Sequence, residues 1–415
     1  MGMELTILMP CLNEAETLGI CIRKARETLD ALGVSGEILV ADNGSTDNSR
    51  AIAEALGARV VEVPSKGYGS ALRSGIASAK GQFVVIGDSD DSYDFRQSGL
   101  FLERLRTGHD LVMGCRMPSG GGKILPGAMP WKHRWIGNPV LTFIGRLLFK
   151  CPCHDFHCGM RGIRREAALA MKLRTSGMEF ASEMVVKATL GGFRIGEVPV
   201  TLHKDGRSHP PHLRSWRDGW RHLRFLLLFS PRWLFLYPGM LFTLVGGAFF
   251  LRLWLGGPLD IGPVRLGVHT LEMAGLVLGT GWQMILFACF VRIFAHTQGF
   301  LPANKTLRKA FAVFNMERGL LSGLAVLLGG IGLLFASTVG WALTGFGNLD
   351  PAVTIRNVIA GHTFAALGIQ ILLFSLVFSY LGMNDDPTTP NPVERDIPSD
   401  CLASPTSSQG STRHT

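Results

Sequence analysis

The first 115 residues alternate short runs of β-branched and aliphatic residues with longer stretches of helical periodicity. The short runs predict strands, and the longer stretches predict helices that cover the faces of a sheet. Strands that alternate with helices form mainly parallel sheets with right-handed crossovers. We therefore predict an α/β domain with a mostly parallel sheet, whose strands are expected at Leu5–Met9, Glu37–Ala41, Arg59–Val63, Phe83–Ile86 and Asp110–Gly114.

Two of the predicted helices carry start signals. Asn13, with Glu16 three residues later, resembles a capping box, in which the first residue caps the helix. Ser45 ahead of Asn48 is a weaker signal of the same kind. These signals predict helices that begin directly after Asn13 and Ser45.

Four later stretches contain no Asp, Glu, Lys or Arg, namely Leu234–Leu251, Met273–Val291, Gly319–Leu349 and Asn357–Asn384. Each reaches or approaches the roughly 20 residues that cross about 30 Å of hydrocarbon. A large all-helical core is the alternative, but helices of soluble proteins have a polar face and these stretches are apolar all round. We predict four transmembrane helices.

Lys and Arg predict the orientation of these helices. Basic residues crowd the connection between the second and third helix, at Arg292, Lys305, Arg308, Lys309 and Arg318. Loops rich in Lys and Arg stay cytoplasmic, and the N-terminus does not resemble a signal peptide. We expect a multi-pass protein of the bacterial inner membrane, with the first domain and the C-terminal tail in the cytoplasm.

The average composition describes a chain that lies partly in water and partly in lipid. The 415 residues carry a net charge of +9 but only 18% charged residues, which excludes a disordered polyampholyte, a collagen-like repeat and a small disulfide scaffold. The predicted units are a cytosolic domain (1–203), a basic juxtamembrane segment (204–232), a four-helix transmembrane domain (233–383) and a disordered cytosolic tail (384–415).

Basic residues in two segments indicate contact with a lipid bilayer. The segment 204–232 is rich in Arg, and a juxtamembrane basic segment attracts anionic lipid, so the charge implies no nucleic-acid partner. Trp131–Lys150 mixes aromatic and basic residues. This segment is either a core helix or, as we predict, a helix at the membrane interface.

Polar residues cluster where four of the predicted strands end, at Met9–Glu14, Asp42–Asp47, Pro64–Gly69 and Gly87–Asp91. Any one cluster is explained as a turn, because Gly, Asn, Asp and Ser are turn formers. Parallel sheets, however, bind ligands at the carboxyl ends of their strands. Four such clusters with several carboxylates and a lysine predict one site for a phosphorylated ligand and its cation.

Asp88-Ser89-Asp90 is the sharpest local signal. Two carboxylates one residue apart on a loop that leaves a strand can coordinate a hard cation, which in turn bridges the oxygens of a diphosphate. Lys66–Ser70 lacks the third glycine of a dinucleotide fingerprint, and the phosphate-loop pattern is absent from the sequence. We therefore predict Mg²⁺ or Mn²⁺ at Asp88 and Asp90, and neither a nicotinamide cofactor nor an ATPase site.

A second cluster could hold zinc, at Cys151, Cys153, His154, His157 and Cys158. Its spacing fits no common structural zinc pattern, and the cytosolic part of the sequence offers no second pair of ligands. Zinc therefore stays a minor alternative.

Six motifs in order resemble the family 2 glycosyltransferases: PCLNEAETL, VADNGSTDNS, KGYGSALRSGI, GDSDDSYD, DFHCGMRGIRREA and GMEFASEMVVKA with GGFRIGEVPV. Within that family the chain is most similar to the polyprenyl- or dolichyl-phosphate sugar synthases. The resemblance implies a Rossmann-like GT-A fold and a metal-dependent, inverting sugar transfer. The donor would be a nucleotide sugar of the UDP-glucose or GDP-mannose type, and the acceptor a polyprenyl phosphate at the cytosolic membrane face.

The resemblance also implies roles for individual residues. Nucleotide-binding residues are expected to be Pro10, Asn13, Glu14, Asp42, Lys66 and Asp88. Residues with a catalytic role are expected to be Asp90, Asp155, Arg116, Arg161 and Arg207. The three arginines would pair with phosphate groups, Asp155 would lie near the acceptor as a candidate base, and Asp88 with Asp90 would carry the cation.

Departures from the family pattern leave alternatives open. The family often has Leu-Gln after the two aspartates, whereas here Asp91–Asp94 follows, so the donor sugar is undetermined. The Gln-x-x-Arg-Trp motif of processive synthases is absent, and a processive or other membrane glycan synthase is the alternative. A third, less favoured alternative is a lipid or solute translocator with a nucleotide-sugar-sensing domain. His362 and Glu272, which are ionisable residues in or near the predicted membrane helices, would favour it. The sequence leaves a homo-oligomer open.

Overall fold

The structure is a computed structural model that describes residues 2–208, 215–297, 316–348 and 351–382. The strands of this part of the chain are β1 (Leu5–Cys11), β2 (Gly36–Asp42), β3 (Arg59–Glu62), β4 (Phe83–Ile86), β5 (Leu111–Cys115), β6 (Lys123–Ile124), β7 (Arg161–Arg164), β8 (Ile195–Pro199), β9 (Thr201–Leu202), β10 (Leu259–Ile261) and β11 (Val264–Leu266). Its α-helices are α1 (Leu18–Leu32), α2 (Ser49–Ala55), α3 (Tyr68–Ser78), α4 (Ser98–Arg106), α5 (Asn138–Phe149), α6 (Arg165–Ala170), α7 (Phe180–Leu190), α8 (Ser215–Leu228), α9 (Tyr237–Gly256), α10 (Val268–Thr297), α11 (Met316–Leu343) and α12 (Pro351–Gly382).

Seven strands form one sheet in the order β3-β2-β1-β4-β7-β5-β8. The pairs β1–β2, β1–β4, β2–β3 and β5–β8 are parallel, and β7 runs antiparallel between β4 and β5. The predicted mostly parallel, Rossmann-like sheet is confirmed. β7 was not predicted because its sequence Arg-Gly-Ile-Arg contains one large apolar residue and gives no strand pattern.

Alternating side chains place a helical layer on each face of this sheet. Leu5 and Ile7 of β1 pack in one core with Ile22 of α1, whereas Leu8 packs in a second core with Leu72 of α3. Successive residues of a strand point to opposite faces, so a strand that is apolar at every position is buried on both faces. All seven residues of β1 are buried.

The predicted capping box is wrong. α1 begins at Leu18, and Asn13 lies four residues before its N-cap, Thr17, with a backbone φ of 57°. The Asn13 side-chain oxygen accepts a hydrogen bond from the backbone of Thr46 at 2.8 Å, so it joins two loops instead of capping a helix. Ser45 likewise caps no helix, because α2 begins at Ser49.

Within the part of the chain that the structure describes, four helices are long and apolar enough to cross a membrane, at Arg232–Gly256, Val268–Thr297, Met316–Leu343 and Val353–Leu381. They coincide with the four predicted stretches, and the protein is an integral membrane protein. Residues Lys305, Arg308 and Lys309, on which the predicted orientation depends, and the tail 384–415 lie outside the described residues. The cytoplasmic orientation and the limits of the four predicted units stay predictions.

Two amphipathic helices, α5 and α8, pack against each other beside the sheet of the α/β domain. Trp135 and Phe143, beside and within α5, are 69% and 65% exposed, and Trp216 of α8 is 87% exposed. The opposite face of α8 buries Phe225 and Leu226. The other face of α5 packs against the core through Leu141, Ile144 and Leu148, while the exposed aromatic surface suits the predicted interfacial helix, which stays a prediction.

A buried chain of hydrogen bonds connects α8 to the loop before β7. The Ser182 hydroxyl, on α7, lies 2.8 Å from Nδ1 of His222 and 3.1 Å from Nε2 of His157. Burial, and next the charge of Arg161, lower the pKa of His222 to about 4. Burial and the charge of His222 also lower the pKa of His157 well below its ordinary value.

These lowered pKa values predict a loss of stability in acid. An unfolded histidine takes up a proton at a pH of about 6.5, whereas folded His222 stays neutral, so unfolding is favoured as the pH falls from there to about 4. We expect His222→Gln to reduce the change in the free energy of unfolding over this pH range by about 1.4 kcal/mol per pH unit. Thermal unfolding of the detergent-solubilised protein across this pH range measures the effect, and an unchanged slope contradicts it. His109→Gln, in the connection between α4 and β5, is the control.

Candidate active site

The four polar clusters lie together at the carboxyl edge of the sheet. Ser45 accepts a hydrogen bond from the backbone of Asn13 at 2.9 Å, which joins the loops after β1 and β2. The Ser89 hydroxyl donates to the Pro10 carbonyl at 2.8 Å, which joins the loops after β4 and β1. Lys66 donates to the Asn43 carbonyl at 3.0 Å, which brings in the loop after β3. The prediction of one crevice at this edge agrees with these contacts.

Asp88 and Asp90 follow β4, where burial and their mutual repulsion act against two negative charges and hydrogen bonds partly offset this effect. The Tyr68 hydroxyl, at the start of α3, donates to Asp88 at 3.0 Å. Burial, and next the charge of Asp90, raise the pKa of Asp88 to about 6. Ser92 donates from its backbone and hydroxyl to one oxygen of Asp90, at 3.0 and 2.6 Å, which fixes that carboxylate.

Arg207 is the counter-ion of this acidic loop. Its guanidinium lies 2.7 Å from the second oxygen of Asp90, 2.9 Å from Glu14 and 3.2 Å from Asp205. Burial acts against the charge of Arg207, but the three carboxylates outweigh burial and raise its pKa. The predicted site residues Glu14, Asp90 and Arg207 therefore form one ionic cluster, although Arg207 is far from the others in the sequence.

The carboxylates fit a divalent cation. Hard oxygen atoms are the ligands that Mg²⁺ and Mn²⁺ prefer, and a diphosphate adds further oxygens of the same kind. Asp90 already contacts the positively charged guanidinium of Arg207, so this position stabilises positive charge. Among the residues that the structure describes, no three His, Cys, Asp or Glu side chains form a group that could hold a metal ion by themselves.

Among the predicted nucleotide-binding residues, Asp42 is buried and shapes a loop, whereas Lys66 is accessible to a ligand. Asp42 is fully buried, and its carboxylate accepts hydrogen bonds from the backbones of Gly44 and Ser45 and from Arg50. The side chain of Asp42 thus shapes the turn, and its predicted part in nucleotide binding stays a prediction. Lys66 is exposed at the crevice.

Asp155 and Arg116 are paired with each other. Asp155 is fully buried, and its two oxygens lie 2.7 and 2.8 Å from Nε and Nη2 of Arg116. Burial acts to raise the pKa of Asp155, but the Arg116 charge outweighs it and holds that pKa below its usual value. The roles of Asp155 as a base and of Arg116 in phosphate binding stay predictions, and the contact between the two groups argues for a positioning role of Asp155.

The side chain of Arg161 likewise makes its hydrogen bonds within the protein. Its side chain donates to the carbonyls of Cys158, Ala181 and Phe156 at 2.8, 2.6 and 3.4 Å, and the residue is 3% exposed. These bonds tie β7 to the loop before it and to the start of α7. The pairing of Arg161 with a phosphate group stays a prediction, and these contacts favour a structural role.

The start of α3, which supplies Tyr68 to the site, is fixed through a loop that the buried carboxylate of Glu183 positions. Glu183 is fully buried, lies 2.8 Å from Lys187 and accepts a hydrogen bond from the backbone of Thr175 at 2.8 Å. The next residue, Ser176, accepts a bond from the Gly69 backbone at 2.9 Å. Glu183 thus positions the loop on which α3 begins.

Sequence reasoning missed a groove beside this site. The groove has a volume of about 640 Å³ and runs between the loop after β5 and the helix α5. Its basic residues are Arg134, Arg146 and His154, and its apolar residues include Trp135 and Phe143. The available signal was Arg134 and Arg146 within the aromatic segment, but nothing local indicated that both face one groove.

The groove adjoins the paired residues. Met117 lines it directly after Arg116, and His154 lines it directly before Asp155. Arg116 also donates to the Tyr93 hydroxyl at 3.4 Å. The same hydroxyl accepts a hydrogen bond from the backbone of Gly159 at 3.0 Å, and Gly159 lies beside Asp88. The acidic loop and the basic groove are therefore two parts of one region.

Comparison with known proteins identifies the family of the chain. Residues 6–170 match the family model described as Glycosyl transferase family 2, and residues 289–382 match the Glycosyltransferase family 2 C-terminal transmembrane region. The chain is 35% identical, over 91% of its length and 89% of the relative, to the low-salt glycan biosynthesis hexosyltransferase Agl6 of Haloferax volcanii. The chain belongs to glycosyltransferase family 2, which confirms the identification from the motifs, and it is an enzyme of that class.

A further relative and a solved structure match the first half of the chain. A dolichyl-phosphate hexose transferase of Haloferax volcanii is 29% identical over 48% of this chain and 82% of its own length. A glucosyl-3-phosphoglycerate synthase of Mycobacterium tuberculosis, solved with Mn²⁺, UDP and glucosyl-3-phosphoglycerate, is 23% identical. That match covers 55% of this chain and 78% of the other, with a TM-score of 0.43.

Proposed function

We propose that this enzyme transfers a hexosyl group from a nucleotide sugar to a polyprenyl phosphate at the cytosolic membrane face, with Mg²⁺ or Mn²⁺. The observation that carries the proposal is the junction of the acidic loop at Asp88 and Asp90 with the basic and apolar groove. An acidic loop suits a diphosphate that arrives with a cation. A basic groove with aromatic walls suits a phosphate that carries a hydrocarbon chain.

The donor site lies at the carboxyl edge of the sheet. Asp88 and Asp90 would hold the cation, whose chemistry there is to neutralise the departing nucleoside diphosphate. Arg207 contacts Asp90, and Lys66 is held on the loop after β3 by the Asn43 carbonyl; both supply positive charge to which a diphosphate is attracted. Asn13 and Glu14, on the loop after β1, border the same crevice and suit the nucleoside.

The acceptor site is the groove. Its two arginines offer charge-assisted hydrogen bonds to a phosphate, and its aromatic residues continue the exposed surface of α5 that suits the membrane interface. The hydrocarbon chain can then stay in the bilayer while the phosphate enters the groove. The relative named dolichyl-phosphate hexose transferase supports an acceptor of this class.

The chemical step needs no strong base. The second pKa of a phosphate monoester is about 6, so at cytosolic pH its oxygen is already anionic. That oxygen attacks the anomeric carbon of the sugar, the bond from this carbon to the diphosphate oxygen breaks, and the nucleoside diphosphate leaves with the bonding electrons. Attack from the face opposite the leaving group inverts the anomeric centre. This step agrees with the occupied state of Asp155.

Reconstitution tests the proposal. The purified full-length protein, with a polyprenyl phosphate, a divalent cation and a panel of nucleotide sugars, should form a lipid carrying one sugar, detected by mass spectrometry. A polymer of several sugars would favour the processive alternative. Movement of lipid across vesicles without sugar turnover would favour the translocator, for which Glu272 and His362 lie 3.7 Å apart in the membrane helices.

The groove arginines predict a selective effect on the acceptor. Arg134→Gln and Arg146→Gln should each raise the KM for polyprenyl phosphate about tenfold or more, because a hydrogen bond to a charged group contributes about 1.5–3 kcal/mol. The KM for the nucleotide sugar should stay near that of the wild type. Arg104→Gln, on the exposed surface of α4, is the matched control. Equal changes in both KM values would contradict the assignment of the groove.

A further inference from the structure

A short segment after β9 lies across the acidic loop that follows β4. The backbone N–H of Gly206 donates to the Asp90 carbonyl at 3.0 Å, and the backbone N–H of Ser208 donates to the Glu16 carboxylate at 2.8 Å. This strap, residues 203–208, is therefore attached both to the loop after β4 and to the loop after β1.

The strap carries Arg207, whose guanidinium contacts the Asp90 carboxylate. Oδ1 of Asp90 accepts hydrogen bonds from the backbone and the hydroxyl of Ser92 at 3.0 and 2.6 Å. Oδ2 of Asp90 lies 2.7 Å from Nη2 of Arg207. Both oxygens of this predicted metal ligand are therefore already in contact with donors of the protein itself.

Arg207 and a divalent cation oppose each other at Asp90. Mg²⁺ lies about 2.1 Å from the oxygens that bind it, so a cation on Oδ2 would face the guanidinium at short range. Like charges repel, and the repulsion is stronger where water is excluded. Asp90 and Glu14 are 9% and 5% exposed, and the side chain of Arg207 is 10% exposed. Binding of the cation to Oδ2 therefore requires Arg207 to move away from Asp90.

This movement of Arg207 is unfavourable unless a new partner replaces Asp90. The guanidinium also lies 2.9 Å from Glu14 and 3.2 Å from Asp205, so it belongs to a mostly buried ionic cluster. Breaking such a pair is costly, because it leaves a charge without compensation.

The diphosphate of a nucleotide is a partner of the required kind. A guanidinium forms two parallel hydrogen bonds with a phosphate group as it does with a carboxylate. The backbone contacts of Gly206 and Ser208 do not involve the guanidinium, so they can keep Arg207 beside the site while its side chain changes partner.

We propose that Arg207 competes with the divalent cation for Asp90, and that Arg207 exchanges Asp90 for the donor diphosphate when cation and nucleotide bind together. The inference rests on the proposed function and adds to it how the donor site is loaded. The cation alone binds weakly, because Arg207 loses a partner and gains none. The cation with a nucleotide binds well, so the site selects the loaded nucleotide over the free cation.

Mn²⁺ binding without nucleotide is the first test. The purified full-length protein is titrated with Mn²⁺, and free Mn²⁺ is measured by electron paramagnetic resonance. Arg207→Gln should bind Mn²⁺ about tenfold more tightly than the wild type, because no charged partner has to leave Asp90. Arg207→Lys keeps the charge but lacks the fork that reaches two carboxylates, so its affinity should lie between the other two. Equal or weaker binding by Arg207→Gln would contradict the competition.

Lys24→Gln is the matched control. Lys24 contacts Asp91, the next residue of the same loop, at 2.6 Å. The variant removes one positive charge beside the acidic loop but leaves the contact between Asp90 and Arg207 in place. Its Mn²⁺ affinity should stay within about twofold of the wild type. A gain equal to that of Arg207→Gln would assign the effect to net charge and would refute the competition.

Mn²⁺ binding in the presence of UDP or GDP is the second test. The order should now reverse, and the wild type should bind Mn²⁺ about tenfold more tightly than Arg207→Gln, because Arg207 pairs with the diphosphate. Tighter binding by Arg207→Gln in both conditions would mean competition without exchange. Weaker binding in both conditions would mean that Arg207 supports the cation. Either result overturns the proposal.

Transfer of a labelled sugar separates this inference from the proposed function. If the wild type forms no lipid-linked sugar with any donor, the proposed function itself fails. If the wild type forms product and the two Mn²⁺ affinities keep the same order with and without nucleotide, the function stands and the exchange of Arg207 is rejected.

Discussion

Replacing Asp90 by asparagine is expected to lower the rate of sugar transfer about a thousandfold. One oxygen of Asp90 is fixed by Ser92, and the other lies 2.7 Å from Arg207. The amide keeps the shape but loses the charge that would hold the cation and that orients Arg207. About 4 kcal/mol of transition-state stabilisation corresponds to this loss of rate.

Asp91→Asn is the matched control for this experiment. Asp91 is the next residue on the same loop, but its carboxylate pairs with Lys24 at 2.6 Å, away from Asp90. Its backbone φ of 62° suits asparagine as well as aspartate. Transfer of a labelled sugar and Mn²⁺ binding should both be lost in Asp90→Asn and retained in Asp91→Asn. Normal Mn²⁺ binding and transfer by Asp90→Asn would refute the metal site.

Replacing Asp155 by asparagine should destabilise the α/β domain by about 3–5 kcal/mol. The substitution leaves the Arg116 guanidinium, which is 8% exposed, without the negative charge that compensates its burial. For a domain of this size such a loss lowers the unfolding temperature by about 10 °C. Sugar transfer should fall only as far as the folded fraction falls.

Thermal unfolding together with kcat distinguishes this positioning role from catalysis. A general base would lower kcat while leaving the unfolding temperature unchanged, and that result would contradict our assignment. The double variant Arg116→Met with Asp155→Asn removes both charges, nearly keeps the combined side-chain volume and leaves an oxygen for the Arg116 backbone, so it should regain most of the stability lost in Asp155→Asn alone. Recovery in the double variant identifies the unpaired charge as the cause.

The strands and membrane helices could be predicted because their signals are local. β4 has the predicted bounds, and β1 and β2 extend the predictions by one or two residues, since consecutive apolar residues bounded by turn formers define a buried strand. The antiparallel strand β7 could not be predicted, since its stability comes from its neighbours β4 and β5 and not from its own sequence. The motif order also identified the family.

The sequence by itself determined the α/β alternation, the four apolar spans and the acidic loop at Asp88, because each depends on residues within a few positions of one another. Only the tertiary structure decided the partners of the charged groups. Arg116 is 39 residues from Asp155, and His154 is 43 residues from Glu197, yet both pairs are in contact. A residue type states which charge is present, whereas the fold decides whether that charge faces a buried partner or a ligand, because electrostatic pairing acts through space.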